Sequence, residues 1–345
     1  WYSGDRVSSR LRITVPMVTP VTVVERRRRA PKRRSEPPAR RRIGYTCTMD
    51  VSEVLADLRA EQQSLDDIVT TLTPEQWLLP TPSPGWTVAD QIGHLTYFDR
   101  NAALAVTDPD AFQDAMHALL GAAGSGDDMT LGPYRAMSPD ELLAAWRTGR
   151  DQLAAAGSTL DNDTRIAWYG PSMGSKSFLT ARLMEAWAHG QDIVDADGAT
   201  REPTERLRHI AQLGFITRGW TYMNRGLDVP AAPVRAELTL PSGEILEFGP
   251  EDADESIVGT ARAFCLITTP RRHVDDTDLV VTGESARDWM EKAQLFAGPA
   301  SDGPAPRPDR HPHQPHPPVA AVRRPPPAHA PARPLAGGNG VRRRA

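Results

Sequence analysis

Apolar residues recur at three- and four-residue spacing through the first half of the chain, and this spacing limits that half to amphipathic helices. The first stripe contains Val51, Leu55, Leu58, Leu65, Val69 and Leu72. Further helices are predicted from about Thr87, over about 138–156 and over about 175–196. Because amphipathic helices bury their apolar faces against one another, the spacing predicts a four-helix bundle with one long connection at 105–137.

From about residue 200 the pattern becomes a mixture of helices and strands. One helix is predicted over 205–226 and another over about 255–268. VRAELTL and EILEFG alternate apolar with polar residues around Pro-Ser-Gly, which predicts a hairpin. A short strand, DLVVTG, and a closing helix follow. The predicted fold class is therefore α+β, with a helical bundle at 49–199 followed by a small α+β domain at 200–300.

Charge is distributed unevenly along the 345 residues, whose formal net charge is −4. Residues 1–48 carry 13 Lys and Arg against 3 Asp and Glu, and residues 301–345 carry 8 against 2. Residues 49–300 are left with 19 basic and 39 acidic residues, a net charge of −20. Because so acidic a body repels phosphate backbones, we expect no nucleic-acid partner.

Both ends differ in composition from the body. Residues 1–48 have three open interpretations: a disordered basic arm, a transit peptide, or upstream sequence included through a mistaken start site. The helical periodicity that begins directly after Met49 favours the mistaken start. Residues 301–345 hold 12 prolines and four of the nine histidines. Such a segment buries too little apolar surface to fold, which predicts a disordered tail.

Cysteine content and hydropathy bear on the compartment. Cys47 and Cys265 are the two cysteines, too few for a disulfide framework or a zinc cluster. The sequence has no apolar run of the roughly 18–20 residues that span a bilayer. The N-terminal residues lack the apolar core of a signal peptide. We expect a cytoplasmic protein with no membrane partner, and the sequence leaves both monomer and dimer open.

Two histidines and a glutamate are candidate metal ligands. Glu185 and His189 are four residues apart on the fourth predicted helix, so they share a face. His94 lies seven residues into the second helix, and Asp192 is placed to orient an imidazole. One carboxylate and two imidazoles suit zinc or another divalent first-row metal. The alternative is an exposed Glu–His pair and a separately packed His94.

Two stretches, PSPGWTVADQIGHL at 82–95 and EAWAHGQDI at 185–193, resemble the metal-site motifs of the mycothiol-dependent maleylpyruvate isomerase family, within the DinB-like superfamily. The resemblance covers residues 50 to about 298 and implies a DinB-like bundle followed by a sterol-carrier-like domain. It implies that His94, Glu185 and His189 are the metal ligands, with Zn²⁺ as the favoured metal. The region after 260 is most similar to an actinobacterial subgroup of metal-binding proteins with unassigned activity.

The same resemblance implies a chemistry. Mycothiol, or another low-molecular-weight thiol, would be the cosubstrate, and the metal would lower its pKa. The thiolate would add to a small-molecule electrophile, giving isomerisation or S-transfer. Arg271 or Arg272 would hold a substrate carboxylate, as an arginine of the family's C-terminal domain does. A non-catalytic metal- or ligand-binding module and a metal-dependent hydrolase are the alternatives.

Overall fold

The first half of the protein is helical, as predicted. In the computed structural model, which describes residues 42–44, 49–122 and 128–307, the helices of this half are Val51–Val69 (α1), Val88–Thr107 (α2), Pro109–Ala122 (α3), Gly132–Arg135 (α4), Pro139–Gly157 (α5) and Ser175–Asp197 (α6). Helices α1, α2, α5 and α6 pack together as a bundle. The capping box predicted from Thr87 and Asp90 is confirmed at the start of α2.

The long connection predicted at 105–137 joins α2 to α5, and it contains two helices, α3 and α4, that were not predicted. The side chain of Asp108 accepts a hydrogen bond from the backbone N–H of Ala111, which satisfies a donor in the first turn of α3. The side chain of Phe112 is fully buried. This helix forms because it caps its own first turn and packs an aromatic ring against the bundle.

The second half combines four helices with a mixed sheet. Its helices are Leu207–Ile216 (α7), Arg218–Met223 (α8), Ala261–Thr268 (α9) and Glu284–Lys292 (α10). The strands of the described chain are Arg42–Gly44 (β1), Arg165–Ile166 (β2), Met173–Gly174 (β3), Val234–Thr239 (β4), Ile245–Phe248 (β5), Glu255–Thr260 (β6) and Val280–Thr282 (β7). The larger sheet has the order β1-β5-β4-β6-β7. The α+β class is confirmed.

Two helix predictions in this half are corrected. The segment predicted as one helix over 205–226 breaks at Thr217, whose hydroxyl bonds the carbonyl oxygens of Leu213 and Gly214. The segment predicted as a helix over 255–268 is β6 followed by α9. Residues 255–260 pair in parallel with β4, and the Thr260 side chain caps α9. The antiparallel hairpin of β4 and β5 is confirmed.

Strand β1 lies within the segment 1–48 and pairs with β5 of the second half. Arg42–Gly44 runs parallel to β5, with Ile43 opposite Leu246. The other residues of that segment lie outside the described chain, and so does the predicted tail from residue 308 onward. The proposed division into domains at 49–199 and 200–300 stays a prediction.

A continuous apolar core joins the bundle to the α+β half. It contains Leu55 and Leu183 of the bundle together with Phe264 and Trp289 of the second half. A second cluster packs around Trp77 and Trp146, inside the bundle. The core therefore holds the bundle and the sheet against each other.

Among the described residues, no helix is both long and apolar enough to cross a membrane.

Candidate metal centre

Helices α2 and α6 run antiparallel and bring the three candidate ligands together. Nε2 of His189 lies 3.0 Å from Oε2 of Glu185, and Nε2 of His94 lies 3.4 Å from the same oxygen. One ligand atom from each of the three residues lies within 4.8 Å of the others. Two atoms bound to one tetrahedral zinc ion at about 2.0–2.2 Å lie roughly 3.3 Å apart. The spacing therefore suits a shared ion.

Burial and hydrogen bonding determine the protonation states of His94 and Glu185. Burial, together with the neighbouring His189 imidazole, lowers the pKa of His94 to about 4, so this imidazole is neutral at neutral pH. Burial opposes the ionisation of Glu185, but its contacts with His189 and His94 outweigh that effect and hold the pKa of Glu185 well below its ordinary value. Neutral imidazole and ionised carboxylate are the forms that bind metal ions.

Aromatic rings lie against the two imidazoles. The ring centroids of His94 and His189 are 4.4 Å apart. The Trp86 ring is inclined by only 15° to that of His189, at 6.0 Å, and lies 5.1 Å from that of His94. The Phe98 ring lies 4.5 Å from that of His94. These rings lie over the site, and the side chains of His94 and Glu185 both remain 18% exposed.

Gln91, and not Asp192, supplies the oxygen that contacts the second ring nitrogen of His189. Nδ1 of His189 lies 2.5 Å from Oε1 of Gln91, whereas Oδ2 of Asp192 is 3.9 Å away, beyond hydrogen-bond distance. The Asp192 carboxylate is held by other donors, Nη2 of Arg271 at 2.7 Å and Oγ of Ser83 at 3.2 Å. The prediction that Asp192 orients the imidazole is therefore corrected to Gln91.

Arg271 and Arg272 lie close to the site, but their guanidinium groups bind carboxylates of α6. Arg271 donates to both oxygens of Asp192, at 3.2 and 2.7 Å. Arg272 donates to both oxygens of Asp195, each at 2.7 Å. These pairs join the segment after α9 to the end of α6. Binding of a substrate carboxylate by either arginine stays a prediction, and at Arg271 such a carboxylate would compete with Asp192.

Asp99 holds the four bundle helices in the arrangement that forms the site. Its carboxylate is 1% exposed and accepts hydrogen bonds from Arg182 on α6 at 2.9 Å, from Gln62 on α1 at 3.0 Å and from Trp146 on α5 at 3.3 Å. Arg182 precedes Glu185 by less than one helical turn. This buried network therefore fixes the level at which α2 and α6 meet.

His209, His117 and Cys265 are not part of the candidate metal cluster. His209 is buried, and its Nε2 lies 2.7 Å from Oδ2 of Asp57. His117 is exposed on α3. Burial raises the pKa of the Cys265 thiol well above its ordinary value, so this cysteine is a poor nucleophile.

Periodicity alone does not identify Gln91, Asp99 or Arg182. One signal was available for Asp99 and Arg182, since each is a charged residue between apolar positions of a buried helix face. Charged side chains are almost never fully buried unless they are paired, so two such residues on two helices indicate a buried pair. Gln91 carries a weaker signal, its position one turn before His94.

Comparison with known proteins identifies relatives of the chain. Residues 58–194, which include all three candidate ligands, match the Mycothiol maleylpyruvate isomerase N-terminal domain. Two uncharacterized proteins of Mycobacterium tuberculosis, from strains CDC 1551 / Oshkosh and ATCC 25618 / H37Rv, are each 44% identical over 255 residues. The match covers 74% of this chain and 99% of each relative.

Two solved structures of mycothiol-dependent maleylpyruvate isomerase, one of a mutant, are also similar. They share 18% and 17% of residues with this chain, at TM-scores of 0.43 and 0.44. In both cases the match covers 65% of this chain and 90% of the other. The chain therefore belongs to the same family as the two mycobacterial proteins, and its residues 58–194 form a Mycothiol maleylpyruvate isomerase N-terminal domain.

Proposed function

We propose that this protein binds one divalent metal ion, most simply Zn²⁺, through His94, Glu185 and His189, and uses it with a low-molecular-weight thiol in an isomerase or S-transferase reaction. The observation that carries the proposal is the convergence of the three ligand atoms within 4.8 Å. Three protein ligands of mixed N and O type leave a coordination position open, which is the arrangement of a catalytic rather than a structural zinc site.

The surroundings of the ligands support this reading of the site. Glu185 supplies a negative charge where a cation would sit, and Gln91 contacts the ring nitrogen of His189 that faces away from Glu185. Histidine ligands of metal ions generally donate their second ring N–H to such a partner. Trp86 and Phe98 exclude water from the faces of the imidazoles. The donor set and its supporting contacts therefore fit a divalent metal.

The proposed chemistry divides between the metal and the chain. When bound, the metal would lower the pKa of a coordinated thiol and so supply thiolate at neutral pH. The chain's residues hold the ligands in place and cover the site with aromatic rings, and the partly exposed side chains of His94 and Glu185 form the side from which a small electrophile would approach. The choice of mycothiol as the thiol rests on the match of residues 58–194 to the Mycothiol maleylpyruvate isomerase N-terminal domain.

One observation favours a second candidate, a metal-binding module without catalysis. The guanidinium groups of Arg271 and Arg272 are each bound bidentately by a carboxylate of α6. The cationic groups proposed to hold an acidic substrate are thus already neutralised. Under this reading the ion would stabilise the contact between α2 and α6 and turn over no substrate.

Metal binding is tested first, with the full chain stripped of metal by a chelator. Titration with Zn²⁺ or Co²⁺ should give one ion per chain, with the visible spectrum of a four- or five-coordinate Co²⁺ site. His94→Ala and His189→Ala should each lose this ion, whereas His117→Ala, which removes an exposed histidine of α3, should keep it. An unchanged ion in His94→Ala would show that the proposed site is wrong.

The thiol is tested on the Co²⁺ form of the full chain. Mycothiol should produce a sulfur-to-cobalt charge-transfer band and raise the melting temperature, because a ligand that binds the folded state stabilises it. Turnover of maleylpyruvate or another electrophile should then require both metal and thiol. A metal site that responds to no cellular thiol would exclude the isomerase and transferase proposal in favour of the binding module.

A further inference from the structure

We infer that Gln91 is a positioning residue, whose carboxamide holds the proton of the His189 imidazole on Nδ1 and so keeps the lone pair of Nε2 directed at the ligand cluster. The consequence for metal binding rests on the proposed function. The assignment of the proton does not, since it follows from a chain of hydrogen bonds that starts in the turn before α2.

The chain of hydrogen bonds begins at a backbone carbonyl. The carbonyl oxygen of Trp86 lies 2.8 Å from the backbone nitrogen of Thr81 and 3.0 Å from its hydroxyl. Nε2 of Gln91 lies 2.8 Å from the Thr81 hydroxyl, and Oε1 of Gln91 lies 2.5 Å from Nδ1 of His189. Gln91 is fully buried, so water does not compete for its carboxamide.

The hydrogen bond from the Thr81 hydroxyl to the Trp86 carbonyl sets the direction of the other links. The Trp86 carbonyl can only accept, so the hydroxyl of Thr81 donates to it and turns a lone pair towards Gln91. The amide nitrogen of Gln91 then donates to that lone pair, which leaves Oε1 facing His189. An amide oxygen can only accept, so Nδ1 of His189 carries a proton.

This direction matters because the other ring nitrogen of His189 faces a competing acceptor. Nε2 lies 3.0 Å from Oε2 of Glu185. In the absence of an acceptor at Nδ1, a neutral imidazole would place its single proton on Nε2 and donate it to Glu185. That tautomer puts a hydrogen where the metal would bind. Gln91 therefore opposes the tautomer that blocks the site.

An amide suits this position better than a carboxylate for a reason of charge. Glu185 and Asp192 already place two acidic groups within 4 Å of the His189 ring nitrogens, at 3.0 and 3.9 Å. A neutral acceptor fixes the tautomer without a third negative charge in a buried site, where unpaired charge is costly. The carboxamide also supplies the donor to Thr81, which a carboxylate lacks.

The test uses the metal-free full chain, labelled with ¹⁵N in its histidine rings, at mildly alkaline pH. Two-bond ¹H–¹⁵N correlation spectra report which ring nitrogen carries the proton, and the His189 signals are those missing from His189→Gln. In the wild type, Nδ1 of His189 should be protonated. In Gln91→Met, which keeps side-chain length but removes the acceptor, Nδ1 should be unprotonated and the proton should sit on Nε2.

Metal affinity provides the second measurement. Loss of a partner that orients a histidine ligand typically weakens metal binding by about 10–100-fold, and we expect Gln91→Met to lose Zn²⁺ affinity within that range. Gln91→Glu, which retains an acceptor for Nδ1, should restore most of the affinity. Thr81→Val, in the partly exposed turn, should give a smaller loss of Zn²⁺ affinity. Without the Thr81 hydroxyl, the Gln91 carboxamide can rotate and exchange the positions of its oxygen and nitrogen. Thr81→Val carries the test if Gln91→Met does not fold.

Gln294→Met is the matched control. Gln294 is also a buried glutamine, but its amide donates to the backbone carbonyls of Phe296 and Pro299 and does not contact a candidate ligand. This variant should keep the Nδ1 proton of His189 and the wild-type Zn²⁺ affinity. An unprotonated Nδ1 in the wild type, or a Gln91→Met protein with unchanged tautomer and affinity, would overturn the inference. A wild type that binds no metal but has a protonated Nδ1 would contradict the proposed function and leave the inference standing.

Discussion

Asp99 and Arg182 form a buried ion pair that joins the two helices carrying the candidate ligands. Oδ1 of Asp99 on α2 lies 2.9 Å from Nη2 of Arg182 on α6, and the two side chains are 1% and 4% exposed. Asp99 follows His94 by five residues, and Arg182 precedes Glu185 by three. The pair therefore lies directly beside the candidate metal centre and sets the distance between α2 and α6, the two helices that carry its ligands.

Arg182→Met should destabilise the protein strongly, because it leaves the Asp99 carboxylate buried without its charged partner. Removal of one member of a buried ion pair typically costs about 3–5 kcal/mol. The measurement is the free energy of unfolding from urea titration. Glu291→Gln serves as the control, since it breaks an exposed pair on α10 with Arg287 and should cost less than about 0.5 kcal/mol. Equal effects of the two variants would contradict a structural role for the buried pair.

The stability of the metal-free protein should fall on acidification through His94. Burial lowers the pKa of this imidazole from 6.5 to about 4, so the unfolded chain binds more protons than the folded one over that interval. Stability therefore rises with pH across the interval and is lost as the pH falls from 6.5 towards 4. The shift corresponds to about 3 kcal/mol at most.

A comparison with His94→Gln isolates this effect from the carboxylates that titrate over the same range. The difference in unfolding free energy between wild type and variant should change in favour of the variant as the solution is acidified. Chemical denaturation of both proteins at several pH values measures it. A difference independent of pH would show that His94 is not held in its neutral form by burial.

The adjacent arginines after α9 should differ in their contribution to stability. Arg271→Met leaves Asp192, which is 2% exposed, with the Ser83 hydroxyl as its one remaining hydrogen-bond donor among the described residues, and should cost about 3 kcal/mol. Arg272→Met leaves Asp195, whose side chain is 18% exposed and better hydrated, and should cost about 1 kcal/mol. Urea unfolding of both variants measures the order. Equal losses would indicate that burial of the carboxylate does not decide the cost.

Helix starts in the bundle could be predicted because their signals are local. The Thr87–Asp90 capping box and the Ser-Pro-Asp-Glu sequence at 138–141 each satisfy orphan backbone donors within one turn. The strand β6 was not predicted, because residues 255–260 become a strand only by pairing with β4, more than fifteen residues away. Its conformation depends on a partner that periodicity within the segment does not contain.

Part of the candidate site could likewise be predicted from the sequence, and part of it could not. The grouping of His94, Glu185 and His189 could be predicted from motif resemblance and helical spacing. The exchange of Asp192 for Gln91 could not, because it depends on Arg271, whose guanidinium reaches Asp192 from a segment 79 residues further along the chain. Competition for one carboxylate between distant donors is a property of the tertiary structure.

The separation of 91 residues between His94 and Glu185 has a consequence for folding. A chain in which α6 has not yet reached α2 presents the Glu185–His189 pair and His94 as independent, weak ligands. The ion would therefore bind tightly only after the bundle closes, and its binding energy would act on that closing step alone. The rate at which bound Zn²⁺ is released would then be limited by the separation of α2 from α6. Measuring that rate would therefore measure the rate of local unfolding of the bundle.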